Sequence, residues 1–118
     1  MAPREPTSAE SVLLGFLATA HSSGSAPAPC VEGLRVADLD DGGMGSLRLI
    51  PRREVALDPV FGRQFSACSF KDSDGVLVIA SLYLDQFDAP FELDLWKVDF
   101  GRLNRLPADS SELKLLEE

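Results

Sequence analysis

The sequence predicts an α+β domain: one antiparallel sheet of about five strands connected as a meander, an N-terminal helix packed on it, and a short C-terminal helix. Three observations lead to this prediction. A capped helical pattern opens the chain, apolar residues then alternate with polar ones at the period of a strand, and turn residues separate the alternating segments. The 118 residues, 45% of them hydrophobic, fit a single domain spanning 1–118.

The first element is a helix from about Ser8 to Ala20. Thr7 and Glu10 have the spacing of a capping box, in which each residue binds the other's backbone amide. The apolar positions that follow at helical spacing are Leu13, Phe16, Leu17 and Ala20. The next residues, 22–29, are Ser, Gly, Ala and Pro, so we expect a flexible linker loop there.

The next two segments predict a β-hairpin. Leu34–Leu39 and Ser46–Ile50 are apolar with interspersed charges, as expected of strands. Asp40–Gly45 between them contains three glycines, which tolerate positive φ angles, and therefore predicts the connecting loop. The residues from Pro51 to Gly62 follow neither period and predict irregular structure.

A second pair of strands is predicted at Gln64–Lys71 and Val76–Leu84, joined by a tight turn at Asp72–Gly75. The second strand of this pair is apolar on both faces. Val76, Val78, Ala80, Leu82 and Leu84 would line one face, and Leu77, Ile79 and Tyr83 the other. This pattern predicts a central strand that is covered on both faces.

The last predicted strand, Phe91–Phe100, contains the only Trp and pairs with the preceding strand in the middle of the sheet. Its apolar residues change parity at Leu95 and Trp96, which predicts a bulge there. Asp109 with Glu112 then predicts the cap of a short C-terminal helix, whose apolar residues are Leu113 and Leu116.

Composition limits the classes of function. The net charge of −8 repels phosphate backbones and anionic headgroups and attracts basic proteins, so we expect no nucleic acid and no membrane as partner. Cys30 and Cys68 have neither the number nor the spacing of a disulfide or zinc framework and indicate free thiols in the cytoplasm. Glu5 and Glu10 interrupt the charge pattern that a signal peptide would need.

No catalytic, metal or cofactor site emerges from the motifs. Asp72–Gly75 resembles the start of a calcium loop but lacks the later ligands, so a plain turn is the better interpretation. Asp40–Gly45 lacks the Lys and the helix of a phosphate loop. His21 is the only histidine, and Cys68 fits a small core residue better than a nucleophile.

Acidic residues provide the candidate site. Asp85, Asp88, Glu92 and Asp94 lie within ten residues and could form a general acid and base, although a solvated strand face gives the same spacing. We expect instead an acidic patch that binds a basic partner. The candidate partner-binding residues are Asp40, Asp41, Met44, Asp85, Asp88, Glu92 and Asp94.

Two sequence boxes carry a family resemblance. Asp41–Leu47 reads Asp-Gly-Gly-Met-Gly-Ser-Leu, Phe91–Phe100 reads Phe-Glu-Leu-Asp-Leu-Trp-Lys-Val-Asp-Phe, and Asp72–Val76 forms an Asp-x-Asp-Gly-Val turn between them. With these boxes the chain resembles a family of small bacterial proteins classed as a domain of unknown function. The resemblance covers most of the chain, including the N-terminal helix, and implies no activity.

Three functions remain open from the sequence. The leading hypothesis is a non-enzymatic protein-binding module, in its most specific form an immunity-type protein that neutralises a basic toxin. The alternatives are a small enzyme that uses the clustered carboxylates and a structural domain that self-associates. Self-association would use Ser46–Ile50 as an exposed edge strand, which Arg48, Arg52 and Arg53 would protect; we expect a monomer or a weak homodimer.

Overall fold

The structure is a computed structural model that describes residues 2–19, 28–52 and 57–116. It contains one helix, α1 (Ser8–Thr19), and a single antiparallel sheet. The strands are β1 (Arg35–Asp38), β2 (Leu47–Ile50), β3 (Phe61–Lys71), β4 (Leu77–Asp85), β5 (Pro90–Lys97) and β6 (Lys114–Leu116). The α+β class is therefore confirmed, but the sheet has six strands, not five.

The strand order is β1-β2-β5-β4-β3-β6, which is not a simple meander. β3, β4 and β5 follow one another as hairpins, and the β1–β2 hairpin adds beside β5, where Leu47 pairs with Leu93. The prediction that Ser46–Ile50 is an exposed edge is therefore wrong, because β2 is hydrogen-bonded on both sides. β4 and β5 lie in the middle of the sheet, as predicted.

Helix α1 begins with the predicted capping box. The Thr7 amide donates to Glu10 Oε1 at 2.8 Å, and the Glu10 amide donates to Thr7 Oγ1 at 3.2 Å. Arg4 strengthens this start, since its guanidinium bonds Glu10 Oε1 at 2.9 Å and Asp38 Oδ1 at 2.8 Å. Ala20, His21 and linker residues 22–27 lie outside the described residues.

One face of the sheet packs against α1. Its buried side chains form one hydrophobic cluster with those of the helix, in which Leu17 of α1 and Leu82 of β4 are completely buried. The opposite side, which we term the outer face, has no helix on it among the described elements. Its residues on the two central strands are Leu77, Ile79, Ser81 and Tyr83 of β4 and Glu92, Asp94 and Trp96 of β5. The prediction that β4 is covered on both faces is wrong, because Leu77 is exposed and Ile79 and Tyr83 are half-buried.

β5 differs from its predicted shape. Its pairing with β4 is regular from Glu92 to Lys97, and the register shift lies earlier, between Pro90 and Glu92. The bulge predicted at Leu95 and Trp96 is therefore wrong. The strand also ends at Lys97 and does not extend to Phe100. Trp96 consequently points to the outer face, whereas Lys97 takes the buried position next to it.

The C-terminal segment contains one turn of 3-10 helix, Ser110–Glu112, and then β6. Asp109 caps that turn as predicted, because its Oδ1 accepts from the Ser111 amide at 2.9 Å. The predicted helix through Leu116 is wrong, since β3 offers a free edge beside Ala67, with which Leu116 pairs. Within the described ranges, no helix is long and apolar enough to cross a bilayer.

Candidate functional site

The three sequence motifs meet at the end of β5. The glycine-rich loop 40–46 and the turn 72–75 both bind the segment 98–105, which leaves β5 after Lys97. The Leu103 amide donates to the Gly43 carbonyl at 2.9 Å, and the side chain of Lys97 donates from Nζ to the Arg102 carbonyl at 2.9 Å. The site is thus built from parts that are far apart in sequence.

Lys97 is the centre of this arrangement. It is only 2% exposed, and its ammonium donates to Asp72 Oδ2 at 2.8 Å and to Asp74 Oδ2 at 2.6 Å. With the Arg102 carbonyl, these carboxylates give its three hydrogens three acceptors. Hydrogen bonds from Lys97 to Asp72 and Asp74 raise its pKa, so it stays charged despite burial.

The Asp72 carboxylate binds four donors. Besides Lys97, these are the amides of Ser73 at 2.7 Å, Asn104 at 2.8 Å and Arg105 at 3.2 Å. Burial opposes its charged form, but these donors outweigh burial and lower the pKa of Asp72 to about 2. The turn predicted at Asp72–Gly75 is confirmed, with the Gly75 amide donating to the Asp72 carbonyl at 2.9 Å. The sequence did not predict this ion pair. Its signal was the change of parity at Leu95 and Trp96, since a regular strand with Leu95 inside also places Lys97 inside.

The glycine-rich loop is held by its own aspartate. Asp41 accepts from the amides of Met44 at 3.0 Å and Ser46 at 2.9 Å, and these bonds, with the Ser46 hydroxyl, overcome burial and lower the pKa of Asp41. Gly45 has φ +96°, and a Cβ there would lie 3.0 Å from the side chains of Leu95 and Leu103, so the position needs glycine. The loop is structural, as its hairpin interpretation predicted.

The carboxylates predicted to cluster separate into two groups. Asp85 and Asp88 lie at the turn between β4 and β5. The buried Asp85 carboxylate accepts from the amides of Phe87 at 2.8 Å and Ala89 at 3.0 Å, and exposed Asp88 pairs with Arg63 at 3.2 Å. Asp85 therefore stabilises the turn, and Asp88 connects the turn to Arg63 of β3. We assign both residues structural roles.

Glu92 and Asp94 form the second group, on the outer face near Asp41. Burial raises the pKa of Glu92, the charge of Asp94 raises it further, and Arg48 counteracts both. Burial also raises the pKa of Asp94, as does the charge of Asp41. The side chains of Glu92 and Asp94 have no hydrogen bond or ion pair with any described residue. Their charges are therefore less compensated than those of the other candidate acids.

An aromatic pair lies beside these acids and was not predicted as a site. Trp96 is 40% exposed and Phe100 is 71% exposed, with ring centroids 6.1 Å apart and planes tilted by 54°. Phe100 has φ +62°, which is unfavourable for a residue with a large side chain. Its amide donates to the Lys97 carbonyl at 2.8 Å, so the buried lysine anchors the turn that presents this ring.

The remaining candidate features are a cleft, a buried cysteine and two residues of the glycine-rich loop. A cleft of about 380 Å³ lies at the other end of the sheet, between Cys30, Glu32, Arg52 and Phe87, and contains none of the predicted site carboxylates. Burial raises the pKa of Cys68 to about 12, as expected of a core thiol. No group of three potential metal ligands was found among the residues described. Asp40 is exposed and Met44 half-buried in the glycine-rich loop.

The fold and the site define a small single-sheet α+β domain in which the glycine-rich loop and the turn 72–75 fix the end of a central strand. One face of the sheet is not covered by any described element. The chain belongs to a family described as a domain of unknown function (DUF6984), whose model matches residues 3–107. No curated protein and no solved structure matched the sequence.

Proposed function

We propose that the protein is a non-enzymatic protein-binding module whose outer face binds a basic partner. The observation that supports this most is the position of Glu92 and Asp94, partly buried and without an ion pair among the described residues, beside the half-exposed Trp96. Interfaces typically combine an aromatic anchor with a polar rim, and this surface has both.

Electrostatics favours a cationic partner. The chain carries a net charge of −8, which steers basic proteins toward it and accelerates association at low salt. Burial raises the pKa values of Glu92 and Asp94 because their charged forms lack compensation. A lysine or arginine from a partner would supply that compensation, so binding should return both pKa values toward normal.

The most specific form of the proposal is an immunity-type protein that neutralises a basic toxin in the cytoplasm. The acidity of the chain and its free thiols support that form. Asp40 and Met44 would contribute to the rim of the interface, whereas the Asp41 carboxylate is bound by amides of its own loop. The structural roles of Asp85 and Asp88 remove both from the proposed contact set.

Capture from a native lysate at low salt tests the proposal. Wild-type protein should retain one stoichiometric partner, which the double variant Glu92→Gln/Asp94→Asn should lose. The matched control Glu5→Gln/Asp58→Asn removes two exposed carboxylates outside the sheet and should retain it. No stoichiometric partner, or a partner that both variants retain equally, would contradict the proposal. Sedimentation of the same samples tests self-association, the alternative function.

A further inference from the structure

The outer face already contains one cation that lies over an aromatic ring and next to a carboxylate residue. The Arg48 guanidinium lies over the ring of Phe91, 4.1 Å from its centroid. Arg48 is also the cross-strand neighbour of Glu92, and its charge lowers the pKa of that acid. Arg48 therefore makes a cation–π contact with Phe91 and partly offsets the charge of Glu92 within the same chain.

A second pair of the same chemistry lies further along β5. Asp94 and Trp96 are on the outer face and two residues apart, which places their Cα atoms about 7 Å from each other. Trp96 has an exposed surface, and the Asp94 carboxylate has no hydrogen-bond donor among the described residues. No cation of the described chain lies over the Trp96 ring, in contrast to Phe91.

We propose that Trp96 and Asp94, together with Phe100, bind an arginine side chain of a partner protein. This deepens the proposed function and rests on it, since it names the group that the acidic outer face recognises. The guanidinium would lie over the indole, as that of Arg48 lies over Phe91, and would also donate hydrogen bonds to the Asp94 carboxylate. Arginine fits better than lysine because its planar cation can stack and donate two hydrogen bonds at once.

The aromatic part of the site is held in place before binding. Phe100 keeps an unfavourable positive φ angle while most of its ring faces solvent. Burial of the side chain therefore does not explain this strained conformation. The conformation places the Phe100 ring next to the Trp96 ring, with 6.1 Å between the ring centroids. The bond to Lys97, itself fixed by Asp72, keeps the turn in this shape. A rigid site loses less conformational entropy on binding.

The test uses the fluorescence of Trp96, the only tryptophan. The probe is a capped Gly-Arg-Gly peptide titrated into the protein, with an otherwise identical citrulline peptide that lacks the charge. We expect a saturable change with the arginine peptide and at least a tenfold weaker one with citrulline. Asp94→Asn should weaken arginine binding about tenfold, while Asp58→Asn should leave it unchanged. Equal responses to both peptides, or unchanged binding by Asp94→Asn, would overturn the arginine site.

Two results separate this inference from the proposed function. If Glu92→Gln/Asp94→Asn abolishes capture of the native partner but the arginine peptide leaves Trp96 unaffected, the arginine site is wrong and the acidic binding surface remains. If the peptide binds as expected but wild-type protein captures no partner, the arginine site is supported and the proposed function is wrong. Thermal unfolding of each variant checks that loss of binding is not loss of fold.

Discussion

Lys97 and Asp72 form a buried ion pair, with 2.8 Å between Nζ and Oδ2, across 25 residues of sequence. Because successive residues of a strand point to opposite faces, the inward position of Lys97 places Trp96 outward. The same lysine carbonyl binds the amide of Phe100. The exposed aromatic pair and the buried charge are therefore two consequences of one strand register.

Asp72→Asn should destabilise the protein strongly, because it removes the buried carboxylate that binds Lys97 and three backbone amides and leaves the partly exposed Asp74 as the remaining charged partner of Lys97. Loss of one partner of a buried pair costs about 3 kcal/mol or more, which should appear as a lower urea midpoint. Asp74→Asn is the control, since its side chain is 40% exposed and water can replace it. Equal losses for the two variants would show that Asp72 has no special role.

Acid should weaken the fold through the same carboxylate. The pKa of Asp72 is about 2 in the folded protein against an ordinary 3.8, so the folded state binds fewer protons between these values. Its stabilisation is complete above about pH 4 and is lost as the pH falls towards 2. Other lowered carboxylates, such as Asp41 and Glu10, act with the same sign. The difference between wild type and Asp72→Asn, measured by urea unfolding at each pH, isolates Asp72, and a pH-independent difference would contradict this assignment.

The sequence was sufficient to predict elements whose cause is local. The capping box of Thr7 and Glu10, the glycine-rich loop and the turn at Asp72 each depend on neighbouring residues, and all three are confirmed. β6 was missed because it forms only when Leu116 reaches the edge of β3. The bulge at Leu95 was wrongly predicted because apolar residues were assumed to stay inside, whereas Lys97 is buried by two distant aspartates.

The candidate site shows the same limit. Sequence spacing grouped Asp85, Asp88, Glu92 and Asp94, but a turn separates the first two from the others. Local backbone amides bind Asp85, which composition alone could not reveal. The aromatic pair depends on a positive φ angle at residue 100, and nothing in a phenylalanine predicts that conformation.

Two glycines should respond to alanine in opposite ways. At Gly62 in β3, a Cβ would lie 2.4 Å from the backbone oxygen of Asp85, so Gly62→Ala must move the backbone and should cost about 2 kcal/mol. At Gly15 in α1 nothing lies within 4 Å, so Gly15→Ala should stabilise by about 0.5 to 1 kcal/mol. Thermal and urea unfolding measure both effects. A stable Gly62→Ala protein would show that β3 and the β4–β5 turn are less closely packed.

Neutralising the two outer acids should make the free protein more stable while it removes binding. The pKa values of Glu92 and Asp94 are raised by burial, so the folded state binds more protons than the unfolded state just above their ordinary values. Such groups destabilise at neutral pH, and the penalty disappears as the pH falls below the ordinary carboxylate range. Glu92→Gln/Asp94→Asn should therefore gain a few tenths to about 1 kcal/mol at pH 7, since both side chains remain partly solvated.

Urea unfolding at pH 7 and at pH 3 checks that expectation. The gain should be present at pH 7 and absent at pH 3, where wild-type Glu92 and Asp94 are also protonated. Glu5→Gln/Asp58→Asn is the control and should change stability at neither pH. A double variant that is less stable at pH 7 would mean that the acids are already paired within the chain, which would contradict a cationic partner. A gain in stability with a loss of partner capture would instead indicate that these charges serve binding at the expense of the fold.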